Sequence, residues 1–180
     1  KYGLYLFLDG ARLGYGLAAP DNDLTLPEIA TLCDVFYIGG TKVGALFGEA
    51  VVIKNPELAQ DFRYLIKQNG GMLAKGRLLG LQFDALFTDG LYQEISAHAI
   101  AMAEKLREAF TAKGYNYLAP NRTNQIFVIV PDAHLAKISE QFEYSYDQRI
   151  DATHSCVRFC TGWATKEENV DALIRCVEKL

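Results

Sequence analysis

Short apolar runs bounded by glycine and proline fill the first third of the chain, and longer helical stripes follow. Tyr5 to Leu8 is an aromatic-rich run closed by Asp9-Gly10, the pattern of a buried parallel strand that ends in a loop. Pro27 to Cys33 predicts a short helix, with proline in its first turn and Glu28 at its positive end. Val35 to Ile38 is a second buried strand, stopped by Gly39-Gly40. Phe47 to Ile53 is a third and runs into Asn55-Pro56. The link from Gly39 to Leu46 is too short for a crossover, so one of these strands runs antiparallel. Pro56 to Lys67 predicts a helix, with Leu58, Phe62, Leu65 and Ile66 near helical spacing. Asn69-Gly70-Gly71 breaks it. From Met72 to Lys113 the pattern is helical, with Leu78, Leu79, Gln82, Phe83, Leu86 and Phe87 on one face and a kink at Asp89-Gly90. Ile95, Ala99, Met102, Ala103, Leu106 and Phe110 continue the stripe to a stop at Lys113-Gly114.

The pattern then changes character. Tyr115 to Leu118 and Gln125 to Val130 predict strands, and Pro131-Asp132 closes the second. Asp132 to Phe142 predicts a helix with Asp132 as its N-cap. Cys156 to Cys160 is a further strand. Thr165-Lys166-Glu167-Glu168 has the form of a capping box that opens a last helix, which buries Val170, Leu173, Ile174 and Val177. Strand, helix, strand, helix make a small α/β domain. The boundary falls inside the long helical region, dividing the chain into residues 1–95 and 96–180.

Composition narrows the class. Of 180 residues, 50% are hydrophobic and 22% charged, enough for a packed core. The formal net charge of -4 offers no basic excess for a phosphate backbone, so nucleic acid is excluded as an expected partner. No apolar run approaches the roughly 20 residues of a membrane-spanning helix, and no secretory leader pattern is visible. The four cysteines, Cys33, Cys156, Cys160 and Cys176, sit in apolar runs and fit buried free thiols of a reducing, cytoplasmic setting. No CxxC pair is present and no metal site is expected. The chain opens abruptly at Lys1-Tyr2-Gly3-Leu4, already in an apolar run, as if entering the middle of a sheet. On that expectation it is about half of a larger subunit.

Two residues carry candidate chemistry. Asp9 stands at the carboxyl end of a strand, where open α/β sheets bind ligands; Asp-Gly also serves as a plain turn, with Asp9 bonded to its own backbone. Lys42 follows another strand, in Ile38-Gly39-Gly40-Thr41-Lys42-Val43-Gly44. Small neighbours let a ligand approach the backbone there, and a lysine in a partly apolar pocket becomes an amine nucleophile. The ordinary alternative is a surface lysine in a turn. Gly-Gly-Thr-Lys lacks P-loop spacing. An aspartate and an amine at successive strand ends, ahead of a small α/β domain, fit pyridoxal phosphate: the lysine would carry the cofactor and the aspartate would hold the pyridinium nitrogen.

These segments resemble a known family. Leu8-Asp9-Gly10-Ala11-Arg12-Leu13, Gly39-Gly40-Thr41-Lys42-Val43-Gly44-Ala45-Leu46 and Gly48-Glu49-Ala50-Val51-Val52 are similar to threonine aldolases and β-eliminating lyases. Lys67-Gln68-Asn69-Gly70-Gly71-Met72 and Val157-Arg158-Phe159-Cys160-Thr161-Gly162-Trp163-Ala164-Thr165 match later segments of the same family. The resemblance implies the later part of a fold-type I pyridoxal-phosphate large domain followed by a small C-terminal α/β domain. It makes Lys42 the Schiff-base lysine and Asp9 the partner of the ring nitrogen. Ala11 would lie against the ring, Thr41 beside the cofactor phosphate, and Arg12 and Arg158 on the substrate carboxylate. The implied activity is cleavage of β-hydroxy-α-amino acids, threonine or allo-threonine, to glycine and an aldehyde by a homodimer or homotetramer. β-Elimination from another amino acid uses the same residues, and a non-catalytic fragment or interaction domain is the reading of a different class. Where the family carries Gly-Gly-Met-Arg-Gln this chain has Gly-Gly-Met-Leu-Ala-Lys, with Lys75 and Arg77 nearby. The resemblance further implies a ring-stacking residue, a main phosphate loop and a general base that have no match among these 180 residues. His98 and His134 are read as bystanders on helix surfaces.

Overall fold

Two of the early strand pairings form as the pattern predicts, one parallel and one antiparallel. The computed structural model describes residues 2–180. It divides into two units: residues up to Leu17 with Asn22–Ile95, and Ala18–Asp21 with Ser96–Leu180. In the first unit β1 (Phe7–Leu8) leads through a tight turn into α1 (Leu13–Leu17), then α2 (Leu26–Leu32), β2 (Val35–Gly39) and β3 (Glu49–Ile53). The sheet order is β1-β2-β3, with β1 parallel and β3 antiparallel to β2. α2 has a capping box that the sequence reading missed: the Thr25 side chain accepts from the Glu28 amide, and Glu28 reaches back to the Thr25 amide.

Several expectations change here. β1 is not buried: it pairs with β2 at only two positions, and Phe7 is 60% exposed with Leu4, Tyr5 and Leu6 beside it. The predicted helix from Pro56 is two, α3 (Pro56–Ala59) and α4 (Phe62–Gln68), because Asp61 between them takes a left-handed backbone. The third strand starts at Glu49, after Gly48 with φ 92°. α5 (Arg77–Phe87) buries Leu86 fully and Leu79, Gln82 and Phe83 in part, while Leu78 and Phe87 at the ends of the predicted face are exposed. Asp89, also left-handed, makes the predicted kink.

α6 (Leu91–Ala112) begins in the first unit and runs on through the second. Gly114 ends it, with the Tyr115 amide donating to the Phe110 carbonyl and φ 83° at the glycine. After it come β4 (Asn116–Tyr117), β5 (Gln125–Pro131), α7 (Asp132–Ile138), β6 (Ser145–Arg149), β7 (His154–Cys160) and α8 (Glu167–Glu178). The sheet is fully antiparallel in the order β4-β5-β7-β6. Alternation along β5 turns Ile126, Val128 and Val130 into a core shared with Val157 and Phe159 of β7, Leu106 and Phe110 of α6, and Val170, Leu173 and Val177 of α8. β6 was missed because all five of its residues are exposed and carry no alternation.

Both predicted caps in this unit are corrected. Asp132 is the first residue of α7 rather than its cap; its carboxylate accepts from Ser155 Oγ at 2.8 Å and Arg149 at 2.7 Å, and so is committed to the sheet. α7 also stops at Ile138, short of Phe142. Lys166, not Thr165, caps α8, because Thr165 Oγ1 accepts from the Gly162 amide at 2.8 Å. Cys33 and Cys156 are buried as expected, but Cys160 is exposed and Cys176 half-buried. No helix among the described residues is long and apolar enough to cross a membrane.

Candidate functional site

The first unit places the candidate aspartate where β1 turns into α1. Gly10 presses so closely on β2 that an added Cβ would lie 1.7 Å from the Tyr37 carbonyl oxygen, and one on Gly39 would lie 2.5 Å from that of Ala11. The close approach lets the Gly39 amide donate to the Gly10 carbonyl at 2.9 Å. Asp9 is thereby held beside Tyr37, whose hydroxyl donates to its carboxylate; the Ala11 amide donates at 3.0 Å. These two hydrogen bonds, the Tyr37 one foremost, hold the Asp9 carboxyl below its ordinary range, and the charges of Lys42 and Arg12 add to the effect. Tyr37 is pushed up to about 12 by the same bond, so it stays a donor. Asp9 is exposed, Ala11 and Arg12 half-buried. The Asx-type turn to Ala11 exists alongside the Tyr37 bond, so the plain-turn reading is incomplete.

Lys42 lies in the turn between β2 and β3, and its backbone is fixed from several sides. The Val43 and Ala45 amides donate to the Gly40 carbonyl at 2.9 and 3.0 Å. Val43 is fully buried. The Glu49 carboxylate accepts from the Gly40 amide at 3.0 Å, and the Tyr15 hydroxyl donates to the Lys42 carbonyl. Gln82 of α5 accepts from the Leu46 amide at 2.6 Å and donates to the Phe47 carbonyl at 3.3 Å, so this residue of the supposed apolar face is a clamp on the turn. The Thr41 and Lys42 side chains remain exposed. Asp9, Ala11, Arg12, Thr41 and Lys42 thus share one end of one sheet. Tyr15, Tyr37, Glu49, Gln82 and Tyr92 were not singled out from sequence; only the strand parity linking Tyr37 to Gly39 hinted at any of them.

Arg158 belongs to the second unit. It projects from β7 with its guanidinium 5.9 Å from the Phe127 ring centre, and one nitrogen donates to Gln125 at 3.3 Å. Its Nε is buried without a hydrogen-bond partner. It lines a pocket of about 340 Å³ with Tyr144, Thr161, Thr165 and Asn169. His98 and His134 are both half-buried and bonded, to the Thr165 carbonyl and the Tyr115 hydroxyl, each at 2.7 Å.

A sheet that gathers an aspartate, a lysine and small residues at one end, followed by a small antiparallel sheet, has the fold of the C-terminal portion of fold-type I pyridoxal-phosphate enzymes. Serine palmitoyltransferase of Sphingomonas wittichii superposes on 98% of the chain with a TM-score of 0.67 at 16% identity, a likeness of fold alone. Within that class the chain is similar to threonine aldolases. The threonine aldolase of Leishmania major matches 99% of the chain with a TM-score of 0.96 and 42% identity, over 52% of its own length. Low-specificity L-threonine aldolases of Pseudomonas sp. (strain NCIMB 10558) and Pseudomonas aeruginosa are 30% and 28% identical over 176 residues. The chain spans about half the length of the curated relatives it matches. No family model matches it.

Proposed function

We propose that this chain is the later part of a pyridoxal-phosphate-dependent threonine aldolase subunit, which cleaves β-hydroxy-α-amino acids such as threonine or allo-threonine to glycine and an aldehyde. Residues 1–95 then belong to the cofactor-binding domain, and residues 96–180 supply the connecting helix and the small C-terminal domain. The observation that carries this reading is the placement of Asp9 and Lys42 just beyond the carboxyl ends of two adjacent parallel strands, β1 and β2, in a chain whose relatives are threonine aldolases.

The donor set fits the cofactor. Asp9 stays anionic because Tyr37 and Ala11 donate to it, and so suits a protonated ring nitrogen. Lys42 offers an exposed amine on a fixed backbone for covalent attachment. Ala11 is small enough to lie against a flat ring, and the Thr41 hydroxyl suits a phosphate oxygen. When bound, pyridoxal phosphate supplies an electron sink for the pair released as the substrate Cα–Cβ bond breaks. Asp9 would hold the ring-nitrogen proton in place. Arg12, beside Asp9, would offer a planar fork to a substrate carboxylate; Arg158, in the second unit, has an Nε–H not yet spent on any acceptor. A cytoplasmic homodimer or homotetramer, free of nucleic acid and membrane, is the setting this reading implies.

Titration of the purified protein with pyridoxal phosphate tests it. A long-wavelength absorption band is expected, fixed to Lys42 by borohydride and lost in Lys42→Ala. Glycine and acetaldehyde from threonine support the aldolase. Pyruvate and ammonia from serine or cysteine would replace it with the β-eliminating reading. A protein with no band is a non-catalytic fragment or interaction domain.

A further inference from the structure

Two buried tyrosines, neither part of the cofactor contacts inferred above, tie the Asp9 segment to the Lys42 turn. Tyr92, on the first turn of α6, is 1% exposed. Its hydroxyl accepts from the Gly14 amide of α1 at 3.0 Å and donates to the Gly39 carbonyl of β2 at 3.1 Å. Gly14 lies five positions after Asp9 and Gly39 three before Lys42. Tyr15, also 1% exposed, belongs to the same α1 segment, and its hydroxyl donates to the Lys42 carbonyl itself. One link therefore runs from the Asp9 segment directly to the lysine backbone, and a second passes through α6.

Tyrosine is suited to this task. Its ring packs rigidly, so its hydroxyl reaches across a fixed distance, and buried backbone groups without such a partner are strongly disfavoured. Covalent attachment at Lys42 and ring-nitrogen contact at Asp9 must both be met by one rigid cofactor, so the span between the two segments sets the fit.

We propose that Tyr92 and Tyr15 are positioning residues for the cofactor, whose hydroxyls fix the span between the Asp9 loop and the Lys42 turn. The proposal rests on the cofactor reading given above and identifies what holds its two anchor points in register.

The test compares wild type, Tyr92→Phe, Tyr15→Phe and Phe110→Leu in the purified protein. Readouts are pyridoxal phosphate affinity, the pH midpoint of the bound cofactor's absorption, and hydrogen exchange at the Gly14 amide. Each tyrosine variant keeps its ring. Each is expected to weaken cofactor binding about tenfold or more and to move the absorption midpoint, and Tyr92→Phe also speeds exchange at Gly14. Phe110→Leu loses stability in the other unit's core and keeps wild-type affinity and midpoint. Tyrosine variants that fold and bind within twofold of wild type with an unmoved midpoint overturn the proposal. So does an affinity loss in Phe110→Leu equal to theirs, because the effect then tracks stability alone. If Tyr92→Phe does not fold, Tyr15→Phe decides by the same measures. A wild-type protein that binds no cofactor overturns the parent reading before any variant is compared, and this proposal with it.

Discussion

Replacing Gly10 by alanine should undo the contact on which the candidate site is built. The new Cβ would lie 1.7 Å from the Tyr37 carbonyl oxygen and 2.9 Å from its carbon, and ordinary contact begins at 3.4 Å. The clash sets a rigid methyl against backbone, with no flexible side chain to swing aside. The loop and β2 must part by well over an ångström. The Gly39 amide bond to the Gly10 carbonyl, 2.9 Å in the native fold, cannot survive that. The Tyr37 bond to Asp9 spans the same gap. β1 adds only two ladder pairs with which to resist. Loss of one buried backbone hydrogen bond, with its groups left unpaired, and disruption of a second imply about 3 kcal/mol or more. Gly16→Ala is the control: nothing lies within 4 Å of its Cβ position, and it sits in α1. Gain in helix propensity and loss of unfolded-state freedom should leave it neutral or up to ~1 kcal/mol more stable. Urea unfolding followed by circular dichroism reads both. A Gly10→Ala protein within 1 kcal/mol of wild type would refute the reasoning, since the turn would then tolerate a separation that the packing forbids.

Three further outcomes follow from the same structure. Phe110→Ala, which empties a fully buried position touching Tyr115 and Phe159, should cost about 3–5 kcal/mol in a urea titration. Burial raises Tyr92 to about 12 from an ordinary value of 10. The unfolded chain therefore gives up that proton first, and stability is full below pH 10 and falls by about 2 kcal/mol as pH climbs through 12; unfolding midpoints of Tyr92→Phe should decline less steeply over that window. A thiol reagent should label Cys160 at once, Cys176 more slowly, and Cys33 and Cys156 only after unfolding, with time-resolved mass spectrometry assigning each site.

The strand ends were legible in the sequence because glycine pairs mark them. Asp9-Gly10 and Gly39-Gly40 stop their strands through local backbone chemistry, and the short link to β3 forces the antiparallel pairing seen. What was not legible is long-range. The hydroxyl of Tyr37 bonds a carboxylate 28 positions away, and that of Tyr92 a carbonyl 53 positions away. Nothing local distinguishes such a tyrosine from one that only fills the core. The cap errors have a similar origin. Asp132 and Thr165 carry the right atoms for capping, but Ser155 with Arg149 and the Gly162 amide compete for those atoms, and tertiary partners prevailed. β6 carries no apolar alternation because all its side chains face solvent; only its pairing with β7 defines it.

The exposure of β1 bears directly on the electrostatics of Asp9. Phe7 lies with its ring 6.1 Å from that of Tyr37, the residue that donates to the Asp9 carboxylate. Tyr5, Leu6 and Phe7 are all more than half exposed, and Asp9 is exposed with them. In that state the attraction between Asp9 and Lys42 acts largely through water and is weak. Apolar cover over Phe7 would also lie close to Tyr37, the donor to the Asp9 carboxylate. Lowering the effective dielectric from about 80 to about 20 strengthens the same charge pair roughly fourfold with no change of distance. The backbone braces at Gly10, Gly39 and Lys42 therefore set the geometry of the pair, while the strength of its coupling depends on how far the pair is shielded from solvent.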